Sequence, residues 1–171
     1  MSPTAAMDYR LAIEELASNN QHSCSAIGNI VVTRSLVPPD GAYLKQWLEG
    51  VTHHAKQHPE GIGLLVLIDE KAPPPAEAER AAIKDAYVSL RGKVRGGVQV
   101  VEGEGFAAAA KRSVLMIINL ATDIGYPIRV AGNVTDATAL LNKLLGKAMD
   151  ARIDAAELTR VGSMLRVRLQ P

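Results

Sequence analysis

Between Ile27 and Leu145 the chain alternates short β-branched runs with longer amphipathic stretches, and that alternation restricts it to few architectures. The run Ile27–Val37 stops at Pro38-Pro39, which cannot continue a sheet interior, and Asp40 stands where a helix cap belongs. From there Leu44, Trp47, Leu48, Val51 and Ala55 recur at helical spacing on one face, up to His58-Pro59. Gly61–Glu70 is a continuous apolar run bounded by glycine and charge, as expected of a mid-sheet strand covered on both faces. After Pro73–Pro75, the residues Ala82, Ile83, Ala86, Tyr87 and Leu90 mark the buried stripe of a second helix. Val98–Glu102 reads as the next strand, Phe106–Ile124 as a third helix, Tyr126–Gly132 as a fourth strand, and the stretch to Leu145 as a fourth helix capped by Asn133 or Thr135.

Strands that alternate with helices in this way are joined by right-handed crossovers. The expected fold is therefore α/β, an open, largely parallel sheet with alternating helices, over residues 25–146. An N-terminal extension (1–24) and a C-terminal tail (147–171) flank it. In the first, Tyr9–Leu16 fits an edge strand through Tyr9, Leu11 and Ile13, and equally a helix through Tyr9, Ala12, Ile13 and Leu16. In the tail, Asp154 caps a short helix, and Leu165, Val167 and Leu169 alternate with Arg166 and Arg168 as in a strand that would pair with a partner's edge.

With one Phe and one Trp, the core must be built from aliphatic side chains. Lys and Arg number 19 against 18 for Asp and Glu, so there is neither a global field nor an aromatic-basic surface to favour nucleic acid. No apolar run approaches the roughly 20 residues that span a bilayer. The lone Cys24 has no internal disulfide partner, and the first residues, MSPTAAMDYR, lack the pattern of a secretory leader. A cytoplasmic location is the expectation.

The order of elements, with LLVLID and VQVV each followed by a helix and IRVAGNVTDATALL closing the unit, resembles the STAS-like domain of bacterial anti-sigma-factor antagonists. The resemblance implies a compact regulatory or scaffolding module that binds a protein partner without turnover. Family members that act as switches carry a phosphorylatable Ser or Thr at the start of the helix after the central strand. Here that place reads EKAPPPAEAE (Glu70–Glu79), without a hydroxyl, so no phosphosite carries over.

Gly103, Gly105 and Ala108 match the G-x-G-x-x-G/A dinucleotide fingerprint between a strand and a helix. The acidic residue at the right distance, Asp123, precedes a strand instead of ending one, and Glu104 would put negative charge beside a pyrophosphate. The stretch therefore reads as a strand-to-helix corner, and no cofactor is expected. Its candidate ligand positions are Gly103, Glu104, Gly105, Phe106 and Lys111, where a helix N-terminus would meet an anion or a partner. His54 and His58 share a helix face at i, i+4, but no third ligand is evident in sequence and no metal site is expected. In the third helix Val114–Ile118 run right round the helix, so one side must be covered by the tail or by a second subunit. The expected partner is thus a protein, including a second copy bound through the Phe106–Ile124 helix or the tail. The alternative is a small-molecule or lipid carrier with its pocket at the strand C-terminal ends.

Overall fold

The computed structural model describes residues 10–170. Three antiparallel strands open the sheet: β1 (Ile13–Ser18), β2 (His22–Ile27) and β3 (Ile30–Ser35). β4 (Ile62–Ile68), β5 (Val94–Val101) and β6 (Ile128–Ala131) follow, each parallel to the one before, in the spatial order β1-β2-β3-β4-β5-β6. The helices are α1 (Gly41–Ala55), α2 (Glu77–Val88), α3 (Gly105–Ala121), α4 (Val134–Leu145) and α5 (Ala155–Arg168). This is the open α/β architecture expected from the alternation.

The parallel strands step across the sheet in one direction, so right-handed crossovers send α1, α2 and α3 to one face. The opposite face is left to α4 and α5. The side chains divide accordingly: Val31, Ile62 and Leu64 pack with Trp47, Val51 and Leu90 on the first face. Val32, Leu65, Leu67, Val98 and Val100 pack with Leu141, Leu158 and Leu165 on the second. β4 lies inside the sheet and is covered on both sides, which is why its sequence carries no alternation.

Several local expectations are corrected. The run Ile27–Val37 is not one strand, because Gly28-Asn29 forms a two-residue hairpin turn closed by the Ile27–Ile30 pair. Gly28 has φ +53°, a conformation that favours glycine. β5 begins at Val94 instead of Val98, since Gly96 and Gly97 sit inside the strand; a Cβ on Gly97 would lie 2.8 Å from Ile128. The third helix ends at Ala121, short of Ile124. Of the ambiguous segment, Ile13–Leu16 belongs to β1, while Tyr9 lies outside the described residues.

The strand reading of the tail is wrong. Leu158, Val161 and Leu165 continue at helical spacing and are fully buried, so residues 155–168 form a single helix with Asp154 accepting from the Glu157 N–H at 2.8 Å. α5 lies across β2 and β3 of its own chain. Gly162 permits the close approach, for a Cβ there would come within 2.8 Å of Leu67.

Candidate functional site

The first face is not filled evenly. α1 packs tightly: Asp40 caps it by accepting from the Tyr43 N–H at 2.7 Å, the Tyr43 ring stacks on buried His22 at 4.3 Å, and Trp47 donates from Nε1 to Thr33 Oγ1 at 3.0 Å. α2 and α3 sit farther out; of the α2 residues only Ala86 is buried. Beneath them a cleft of about 530 Å³ opens over the upper halves of β3, β4 and β5. Thr33, Val66, Ile68 and Gln99 form its floor, and Leu115 and Ile118 of α3 form one wall. The volume falls in the range of ligand pockets, and the position is the C-terminal end of the parallel strands, where open α/β sheets bind their ligands.

The polar side chains of the floor already have partners. Thr33 Oγ1, besides accepting from Trp47, donates to Cys24 Sγ at 3.3 Å, and Ser35 Oγ lies 3.1 Å from His22 Nδ1. Asn119 of α3 donates to Gln99 Oε1 at 3.1 Å, which ties the helix to the sheet across the cleft. Burial pushes the Tyr87 hydroxyl up to about 12 and the Cys24 thiol up to about 12, so both are protonated at neutral pH. Burial also lowers His22, against the pull of Asp40, and keeps the imidazole neutral. Among the described residues, charged side chains line the cleft only along α2, where Glu77, Arg80 and Lys84 are exposed.

Gly103, Glu104, Gly105, Phe106 and Lys111 lie outside this cleft. Gly103 and Gly105 have φ of +98° and +84° and turn the chain from β5 into α3. Glu104 is the N-cap residue but its side chain makes no cap hydrogen bond, and Phe106 is 90% exposed. Lys111 donates to the carbonyls of Glu70 and Ala72, and Arg112 to those of Val101 and Gly103. Both cations of α3 thus fix the neighbouring loops. The outer side of the helix carries Phe106, Val114, Met116 and Ile117, all exposed, and no charge.

The remaining clusters are structural. His54 faces the Glu14 carboxylate at 3.2 Å and the Gly28 carbonyl at 2.9 Å, so both ring nitrogens are occupied, and His58 faces Glu60. Among the described residues no group of three His, Cys, Asp or Glu side chains is placed to hold a metal, and no helix is long and apolar enough to cross a membrane. On the α5 face, buried Arg34 makes a two-pronged ion pair with Glu102 at 2.7 and 2.8 Å and donates to the Gly162 carbonyl at 3.3 Å. Arg166 joins the same carboxylate at 2.9 Å. Burial would raise Glu102, but the hydrogen bonds and charges of Arg34 and Arg166 outweigh it and hold the carboxyl below its usual range.

The sequence marks Leu44, Trp47, Ile83, Tyr87, Leu115 and Ile118 as buried or helix-face residues and does not assign them to a ligand site. A usable signal existed in Gln99 and Asn119, lone amides within the apolar runs VQVV and MIINL that face each other in the fold. Comparison of the chain with family models, with curated proteins and with solved structures gives no match in any of the three.

Proposed function

We propose that this protein is a non-catalytic binding module that holds a small, largely apolar molecule in the cleft between β3–β5 and α1–α3. The observation that carries the reading is the cleft itself: about 530 Å³, walled by aliphatic and aromatic side chains, at the strand ends. The floor side chains of Thr33, Ser35 and Gln99 are already paired, and the one unpartnered hydroxyl among the described lining residues, that of Tyr43, is neutral, which suits retention of an apolar ligand better than chemistry on it. The order of elements supports kinship with STAS-like modules, and a regulatory role would then be exerted through the ligand. Native mass spectrometry of protein purified gently from its own host tests this. A co-purifying small molecule is expected; bare protein that also takes up no aliphatic probe would refute it.

A second reading, binding of a protein partner, is favoured by α3. Four large apolar side chains are exposed on its charge-free outer side, the kind of patch that marks an interaction surface. A homodimer through this helix predicts self-association in sedimentation at high micromolar concentration, abolished by Ile117→Glu. A monomer throughout would remove it.

A further inference from the structure

We infer that the ligand of the cleft is a single-chain amphiphile, bound with its aliphatic tail inward and a singly charged anionic head group at the α2 rim beside Arg80 and Lys84. The inference rests on the cleft being a ligand site, and it adds the ligand's class and orientation.

Two features of the lining carry it. The inner part, from Val66 and Ile68 on the sheet to Leu115 and Ile118 on α3, holds no charged residue. Its hydroxyls and amides at Thr33, Ser35 and Gln99 already have partners, and the Tyr43 hydroxyl, which has none among the described residues, carries no charge. An ion carried inward would lose its hydration and find no countercharge, a cost that excludes charged groups from the interior. Any charge on the ligand must stay at the opening, with an apolar chain below.

The opening has its own sign. Glu77, Arg80 and Lys84 recur at i, i+3 and i+7 on one face of α2 and are, among the described residues, the only charged ones lining the cleft. Two cations against one carboxylate leave an excess of one positive charge. The Arg80 guanidinium donates to the Pro75 carbonyl at 2.9 Å, and since Pro75 itself belongs to the lining, the charge is held at the rim. Lys84 has no hydrogen bond or ion pair among the described residues and is free to meet a ligand. The lining residues at the end of α3 and just beyond it, Ala121, Thr122 and Ile124, are uncharged. A carboxylate and a phosphodiester share the required single negative charge.

Trp47, the sole tryptophan, belongs to the lining and reports occupancy through its fluorescence. The intact chain is titrated with dodecanoate, dodecanol, dodecyltrimethylammonium and lauroyl lysophosphatidylglycerol, each below its micelle concentration. The anions should bind about three- to tenfold tighter than dodecanol, the scale of two exposed ion pairs, and the cationic probe most weakly. Lys84→Glu should erase the preference for anions with dodecanol unchanged, and Lys84→Arg should keep it. The tighter of the two anions identifies the head group. Equal binding of dodecanoate and dodecanol, or a preference that survives Lys84→Glu, overturns the inference while leaving the cleft a ligand site. Failure of every probe to bind overturns the ligand-site reading itself.

Discussion

Glu102→Gln should destabilise the fold sharply without touching the cleft. The substitution removes the only carboxylate that faces Arg34 among the described residues; the Arg34 side chain is 3% exposed, and its guanidinium is left buried with an amide oxygen and the Gly162 carbonyl. Breaking a buried ion pair from one side costs about 3–5 kcal/mol. Glu102 is 22% exposed and glutamine keeps one acceptor, which reduces the expected loss to about 2–4 kcal/mol. For a chain of this size that lowers Tm by roughly 4–16 °C. In urea the midpoint should fall with an unchanged slope, since the same surface is exposed on unfolding. The pH dependence has a definite sign. A carboxyl held below its unfolded value of 4.5 contributes its full stability above that pH and loses it as pH falls through the lower, folded value. The variant should lack this part of the acid limb. A loss under about 1 kcal/mol would mean that water screens the pair and that it does not anchor α5 to the sheet.

Tyr43→Phe should stabilise the ligand-free protein by about 1 kcal/mol, because the hydroxyl is buried with no hydrogen-bond partner among the described residues while the ring stacks on His22; a lower urea midpoint would contradict this. Gly162→Val should cost about 1–3 kcal/mol, since even a Cβ would press on Leu67, and an unchanged thermal midpoint would show that α5 sits farther from the sheet. Cys24, fully buried and with its thiol raised to about 12, should react with iodoacetamide at pH 8 only as fast as the protein unfolds. Rapid labelling of the native protein would place the thiol in solvent.

The alternation between Ile27 and Leu145 is enough to reach the α/β class, because α1 and α4 each bury one clear stripe and β4 is covered on both faces. β2 was not legible as a strand. Its sequence HSCSAI puts His22, Ser23 and Ser25 into a fully buried strand, where partners distant in sequence, Ser35 for His22 and Arg168 for Ser25, take up polar groups. Gly28-Asn29 between two strand-like runs was the available sign of the hairpin. In the tail, Leu165, Val167 and Leu169 satisfy an alternating period by chance; Val167 is 67% exposed, and Leu158, Val161 and Leu165, buried at helical spacing, set the structure of the whole segment. The cleft itself arises where α2 and α3 stand away from the sheet, a tertiary spacing that no local pattern encodes. The glycine corner at Gly103–Gly105 has a motif's spacing, whereas the space lies farther along the same helix, at Leu115 and Ile118.

Ligand occupancy of the cleft is most directly read from side-chain methyl resonances during titration with dodecanoate. The methyls of Val66, Leu115 and Ile118 should shift together and saturate, while those of Leu65 and Leu67, which point to the α5 face, stay in place. No shift at Val66, Leu115 and Ile118, or shifts confined to Val114 and Ile117 on the outer side of α3, would contradict the account.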